Sequence, residues 1–241
     1  EDVTVKKIAV RELVEFILRS GSIDEGKNSS HTPQEGARIH RKLQKEAGSS
    51  YQKEVWLKKP LTIAGIEVQI EGRADGIFLQ DELTYIDEIK TSETPFEDLE
   101  EGIINLYFYQ AMVYAYIYSE QEELSEIGAR LTYFQTTEEK ITRQERRFSF
   151  QELADFFTDL VQSYENWLVF QMNWRETRNQ SLKELAFPFE TYRAGQRELA
   201  AAVYKTIHAQ QKLFVEAPTG TGKTMSTLFP TFKAMGEELG E

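Results

Sequence analysis

GRADGIFLQDELTYIDEIKT, Gly72 to Thr91, decides the reading of this chain. Gly76–Gln80 and Leu83–Ile89 are β-rich runs separated by the turn residues Asp81 and Glu82. Asp75, Glu88 and Lys90 follow in close order. On a strand Glu88 and Lys90, two apart, share one face, and Ile89 points the other way, into a core. Asp87 and Glu88 set two adjacent acids in an apolar strand, which is costly unless one face is polar for a reason. Hydrolysing a phosphodiester needs an activated water and neutralised charge at phosphorus, and one or two Mg²⁺ ions supply both. Such ions prefer carboxylate and carbonyl oxygen. The expected donors are Asp75, Glu88 and the Ile89 carbonyl. Lys90 would orient or deprotonate the water, or balance the transition-state charge. Taken alone, the same residues also describe an exposed strand with ordinary salt bridges.

Outward from this stretch, Val10–Gly21 is periodic as a helix, and Ser22–Pro33 is polar and reads as a loop. Glu35–Gly48 is a second helix ending in Gly. Tyr51–Lys58 and Leu61–Glu71 read as strands, with Glu54 as a solvated strand residue. Gly102–Tyr118 is an apolar, aromatic helix, buried on more than one side. Gly128–Thr136 and Lys140–Phe148 are further strands joined at Thr137–Glu139. Ser149–Trp174 is a long helix with Ser149 as its N-cap. Arg175–Lys183 is polar and non-periodic and reads as a linker. The expected domains are 1–178 and 179–241.

The 241 residues suffice for one large domain or one domain and part of another. With 40% hydrophobic and 28% charged residues the composition is that of a globular protein, and no apolar run approaches the length of a membrane span. The absence of cysteine excludes disulfides, thiolate-bound zinc and iron–sulfur clusters within these residues and fits a cytoplasmic setting. A net charge of −12 makes a general nucleic-acid coat a poor expectation, yet leaves a nuclease open, because metal ions bring positive charge to the cleavage site. Two local basic clusters stand out: Arg38, Arg41, Lys42 and Lys45, and Arg143, Arg146 and Arg147. The second reads as a solvated face.

GRADGI, IDEIKT and QAMVYAY together resemble the RecB-type nucleases of the PD-(D/E)xK superfamily. The pattern of that family is an Asp, a (D/E)xK strand and a QxxxY helix, matched here by Asp75, Glu88 and Lys90, and Gln110 and Tyr114. An upstream helical His is matched by His40 in EGARIH. The resemblance covers Val10 to about Trp174. It implies a restriction-endonuclease-like α/β core, a mixed central sheet flanked by helices. It further implies Mg²⁺ or Mn²⁺ held by His40, Asp75, Glu88 and Ile89, with Gln110 bonding a metal-bound water or a DNA phosphate and Tyr114 contacting the backbone. The cysteine-bearing iron–sulfur subgroup is ruled out.

Near the C-terminus, LysLeuPheValGlu (212–216) reads as a strand leading into APTGTGKT, Ala217–Thr224, which opens a helix. This is the setting of a phosphate-binding loop. Backbone N–H groups of Thr219, Gly220, Thr221 and Gly222 would cradle phosphates, Lys223 would reach the β- and γ-phosphates, and Thr224 would bind Mg²⁺. Ala217 stands where the strict pattern has Gly. FPFETYRAGQRELAAAVYKTI with this loop resembles the start of a DinG/XPD-type superfamily 2 DNA helicase. That resemblance implies Arg193 and Gln196 near the base of ATP. The remaining motor motifs are not in this sequence, so it implies a truncated P-loop segment belonging to a longer nuclease–helicase chain. The combined expectation is metal-dependent DNA cleavage, exonucleolytic, on single-stranded or end-bearing DNA, in repair or recombination. The rival is a catalytically idle DNA-binding module that steers an ATP-dependent helicase.

Overall fold

Two-residue turns with both residues left-handed set the first half of the sheet. A computed structural model describes residues 5–19 and 33–239. β2 (Gln52–Ile63) and β3 (Ile66–Gln80) meet at Ala64 and Gly65, with φ of 48° and 80°. β3 and β4 (Leu83–Ser92) meet at Asp81 and Glu82, with φ of 50° and 64°. Positive φ at both central residues gives the hairpin twist that matches paired strands. Pro60 does not break β2, as the separate runs Tyr51–Lys58 and Leu61–Glu71 had suggested; it pairs with Gln69 inside the ladder. β2 pairs with β3 alone, so the missing N–H of Pro60 can face its free edge.

The chain divides into two units, Glu1–Asn166 and Trp167–Glu241. The first holds a six-stranded sheet in the order β1 (Lys6–Ala9), β3, β4, β5 (Glu126–Gln135), β6 (Lys140–Ser149), with β2 beside β3. β1/β3 and β4/β5 are parallel and the other pairs antiparallel, a mixed sheet. β1, four residues long, was not among the expected strands.

Helices cover both faces of the sheet. Ile89 packs with Leu43 and Ile39 of α2 (Pro33–Glu46), while its neighbour Lys90 bonds Gln110 of α3 (Glu101–Gln121). Adjacent strand residues face opposite ways, so α2 and α3 lie on opposite faces. α1 (Val10–Leu18) packs on α3. Phe156 and Phe157 of α4 (Phe150–Glu184) stack on Tyr109 and Tyr116 of α3. With the sheet on one side and helices on the others, α3 is apolar nearly all round, as expected. Gly21 and the loop Ser22 to Thr32 lie outside the described residues.

Ser149 caps α4 as expected: its Oγ accepts from the Glu152 N–H at 3.3 Å, and the Glu152 carboxylate accepts from the Ser149 N–H at 2.7 Å. The expected linker Arg175–Lys183 is helical and belongs to α4. Arg, Glu, Gln and Lys are good helix formers, and polar sequence without period does not by itself end a helix. The second unit adds α5 (Gln196–His208) and α6 (Lys223–Gly236). Residues 212–216 form no strand, contrary to expectation, and Phe214 is 92% exposed. A strand needs a neighbour for its backbone groups, and no described strand of this unit lies beside that segment.

Close approach explains two glycines of β3. A Cβ on Gly76 would overlap the Tyr51 hydroxyl and ring, and one on Gly72 would stand 2.5 Å from the hydroxyl oxygen of Tyr114. Tyr51 is buried and bonded to Asp87, so it has no ready place to go. Gly76→Ala is therefore expected to destabilise the first unit by about 1–3 kcal/mol, the usual cost of overpacking. Urea unfolding of both proteins measures this, and an unchanged midpoint would contradict it.

Candidate functional site

The site forms where β3 changes neighbours. β2 follows one edge of β3 from Ile66 to Ile77. On the other edge β1 occupies Val68–Glu71 and β4 occupies Gly76–Gln80. Gly72 to Asp75 face neither, and a fork opens there. Opposite the fork, Glu54 has a φ of 54°, and the β2–β3 ladder skips its pairing with Asp75. The pleat changes phase across this point. Gly72 opens towards Tyr114 on α3, whereas Gly76 opens towards Tyr51, whose hydroxyl reaches Asp87 on the α2 face. Left-handed backbone at a non-glycine residue is costly and tends to mark functional sites. Glu54 is exposed on β2, as expected of a solvated strand residue, and its carboxylate lies 3.4 Å from the exposed Arg73.

Asp75 sits in the fork. Its Oδ2 accepts the Ile89 backbone N–H at 2.7 Å, a side chain taking the place of a strand partner. In an extended strand the N–H and C=O of one residue point to the same edge, so the Ile89 carbonyl also faces the fork. The other oxygen, Oδ1, lies 3.4 Å from His40 Nδ1 of α2. One helical turn on, Gln44 Nε2 donates to the Asp75 backbone carbonyl at 2.9 Å. His40 and Gln44 thus share a face of α2 and fix Asp75 from one side.

Glu88 and Lys90 approach from β4. Lys90 Nζ lies 2.6 Å from Glu88 Oε1, donates to Gln110 Oε1 at 2.9 Å, and stands 5.2 Å from the centre of the Tyr107 ring. Glu88 is 5% exposed. Burial pushes its carboxyl above the usual range, and the nearby Asp75 charge adds to the rise, against the opposing pull of Lys90 and His40. For Lys90, burial alone would lower the pKa, but Glu88 and Asp75 outweigh it and hold the ammonium above its ordinary value. Lys90 is therefore a cation here. Tyr114, buried like Glu88, is raised by burial and then by Glu88 and Asp75, which keeps its hydroxyl neutral.

Asp75, Glu88, Lys90, Ile89, Gln110, Tyr114 and His40 are all brought to the fork or its rim. They do not all converge as ligands. His40 engages Asp75, Glu88 engages Lys90, and among the described residues no group of three or more His, Asp or Glu side chains stands ready to hold a metal ion. The donor chemistry nevertheless suits a hard cation, with two carboxylates, a carbonyl and an imidazole. Two mutually repelling carboxylates beside one ammonium form a spot that a divalent ion would relieve.

Three neighbours escaped the sequence reading. Gln44 lies four residues after His40, and Tyr107 lies three before Gln110, so helical spacing from the named residues points to both. Arg11 of α1 contributes a positive charge that acts on Glu88 while pairing with Glu15 at 2.6 Å; no sequence signal marked it. Asp87 belongs to a separate cluster on the opposite face.

In the second unit, Arg193 Nη1 donates to the Gly220 carbonyl at 2.5 Å, and Gln196 Nε2 to that of Gly222 at 3.2 Å. Lys223 Nζ bends back to the carbonyls of Ala217 and Pro218 at 3.0 and 2.6 Å, and Thr221 Oγ1 donates to Pro218 at 2.9 Å. Thr219 is exposed, while Thr224 joins Arg193, Gln196 and Gly222 around a cavity of about 460 Å³. The loop is thus tied to the residues expected beside a nucleotide base.

No protein-family model and no curated protein matches the chain. Several solved structures are similar in part, two of them as follows. The crystal structure of SSO0001 is 21% identical with a TM-score of 0.47, covering 76% of this chain and 83% of that one. A phage-related exonuclease from Haemophilus somnus 129PT is 14% identical with a TM-score of 0.37, covering 68% and 82%. Scores this low establish no shared fold. Among the described residues, no helix is long and apolar enough to cross a membrane.

Proposed function

We infer that the first unit is a metal-dependent DNA nuclease, acting as an exonuclease. The observation that carries this reading is the half-buried Lys90 ammonium, bonded to Glu88 and Gln110 and within the electrostatic influence of Asp75 at the strand fork. A half-buried lysine against a buried carboxylate, with a second carboxylate at a break in a sheet, is expensive as architecture and useful as chemistry.

Asp75, Glu88 and the Ile89 carbonyl, with His40 at the rim, would hold Mg²⁺ or Mn²⁺. The ion would supply an activated water and charge neutralisation at phosphorus. The residues themselves divide the remaining work. Held as a cation, Lys90 is suited to a non-bridging phosphate oxygen or to balancing developing charge, and less suited to taking a proton. Gln110 fixes the ammonium from α3, and Tyr107 covers it. His40 and Gln44 hold Asp75 in orientation from α2. Tyr114, kept neutral, offers a hydroxyl donor at the fork.

The test is cleavage of end-labelled single- and double-stranded DNA by the full chain with Mg²⁺ or Mn²⁺, with EDTA as control. Metal-dependent release of nucleotides from ends is expected. A folded chain that cleaves neither substrate with either ion overturns the reading.

A second reading has one observation in its favour: among the described residues, no three acidic or imidazole groups converge. In that case the unit is an idle DNA-binding module serving an ATP-dependent helicase in repair or recombination. DNA binding without cleavage would select it. The Arg193–Gly220 and Gln196–Gly222 ties support ATP binding at the phosphate loop, and calorimetric titration with MgATP tests that part.

A further inference from the structure

The helix that brings His40 and Gln44 to Asp75 has a third face. Ile39 and Leu43 of α2 point into the core, and His40 and Gln44 point to the site. Arg38, Arg41, Lys42 and Lys45 are spaced 3, 4 and 7 residues from the first, so they form one stripe on the remaining face. All four are exposed.

The stripe sets four exposed cations, none of them ion-paired among the described residues, on a single helix face. The chain has 40 acidic residues against 28 basic ones, so an exposed cation should readily find an acid. Elsewhere in the first unit several cations do, Lys7 with Glu71, Lys59 with Glu120, Arg73 with Glu54 and Lys140 with Glu97, whereas exposed cations without an ion pair among the described residues, such as Lys53, Lys58 and Arg143, are scattered over other elements. None of the four stripe residues has an ion-pair partner among the described residues, although Glu35 and Glu46 stand near the two ends of the same helix. Four such cations on one helix face concentrate positive potential in a chain of net charge −12.

The position of the stripe gives it a use. A site built from carboxylates repels the phosphate it must cleave. Arg41 follows His40 directly on the helix that reaches Asp75, and flexible stems carry the four charges away from the helix axis, with Arg38 and Lys42 lining a cavity beside Phe134, Thr136 and Glu139. We propose that this face of α2 is a phosphate track: it binds the backbone of a DNA strand and steers it across the Asp75–Glu88–Lys90 fork. The proposal rests on the nuclease reading for what happens at the fork, but the binding surface is independent of it. Contacts of this kind are made to the backbone and are blind to sequence. Arg41, Lys42 and Lys45 thus act as binding residues rather than catalytic ones.

The test compares the full chain with the triple variant Arg41→Gln, Lys42→Gln, Lys45→Gln. A control variant, Arg197→Gln, Lys205→Gln, Lys212→Gln, removes the same number of exposed cations from the second unit. Binding of a short fluorescein-labelled single-stranded DNA is read by anisotropy in Ca²⁺, with Ca²⁺ replacing the catalytic ion, over a range of salt. The α2 variant is expected to bind about tenfold more weakly or worse. The slope of log K against log salt should fall by roughly 0.7 for each phosphate that the variant leaves without a cation. In Mg²⁺ the KM for cleavage should rise about in step, and the control should change little. Equal weakening in both variants would reduce the effect to bulk charge and overturn the track. So would a wild-type enzyme that cleaves DNA while the α2 variant keeps its KM and salt slope. If the wild type cleaves nothing but the α2 variant alone binds more weakly, the nuclease reading fails and the track stands.

Discussion

Lys90→Ala is expected to lower metal-dependent DNA cleavage by at least about a hundredfold while leaving the chain folded. Lys90 holds the ammonium bonded to both Glu88 and Gln110, and among the described residues no other cation is paired with a carboxylate of the fork so closely. Removing it deletes the charge that would meet a phosphate oxygen. It also leaves Glu88, already pushed upward by burial and by Asp75, without its counterion. The buried carboxylate can answer by taking up a proton, which spares the fold but weakens it as a metal donor. Single-turnover cleavage of labelled DNA, with circular dichroism as the check on folding, measures the effect. Activity within about threefold of wild type would remove Lys90 from the mechanism. Gln110→Ala, which loosens the ammonium without deleting it, should lie between the two.

The largest expected loss of stability belongs to Asp87, on the opposite face of β4 from Glu88. Asp87 is 2% exposed and accepts from the Tyr51 hydroxyl at 2.8 Å, Arg130 Nε and Nη2 at 3.1 and 2.7 Å, and the Thr132 hydroxyl at 2.7 Å. Arg130 also lies 3.8 Å from the centre of the Phe78 ring, and that ring is stacked between Tyr51 and Tyr85. The carboxylate therefore satisfies three neighbours at once, and burial together with its charge holds the Tyr51 hydroxyl far above the usual phenol range. Asp87→Ala strands a largely covered guanidinium and two hydroxyls. The expected cost is about 3–5 kcal/mol, on the order of 10 °C in Tm for a domain of this size. Calorimetry checks it, and a loss under about 1 kcal/mol would show that water replaces the carboxylate readily. Asp87→Asn, which keeps the shape and part of the acceptor capacity, should cost less.

These two acids are adjacent in sequence, and their different fates show where sequence reasoning stops. The pair was legible as an anomaly, and strand alternation placed them on opposite faces. What lies on each face was not legible. Asp87 is satisfied by residues from just before β2 and from β5, up to 45 positions away, so its role depends on strand order. Arg11 was missed because its effect on Glu88 likewise depends on how distant elements pack. The failed strand at 212–216 is the converse case: its local pattern favours extension, but pairing is a tertiary property.

The sequence alone determined which chemistry is possible: Asp75, Glu88, Lys90 and His40 by type and order, Gln110 with Tyr114 by helical spacing, and the turn between Gln80 and Leu83 by position, while the turn at Ala64 and Gly65 lay inside the expected strand Leu61–Glu71. These are short-range properties, set by periods of two and three to four residues. Only the tertiary structure decided that the fork opens at Asp75, because that depends on β1 and β4 sharing one edge of β3 with a gap between them. It also decided that Lys90 stays charged, because a pKa follows from burial and from neighbours that the chain brings together only on folding.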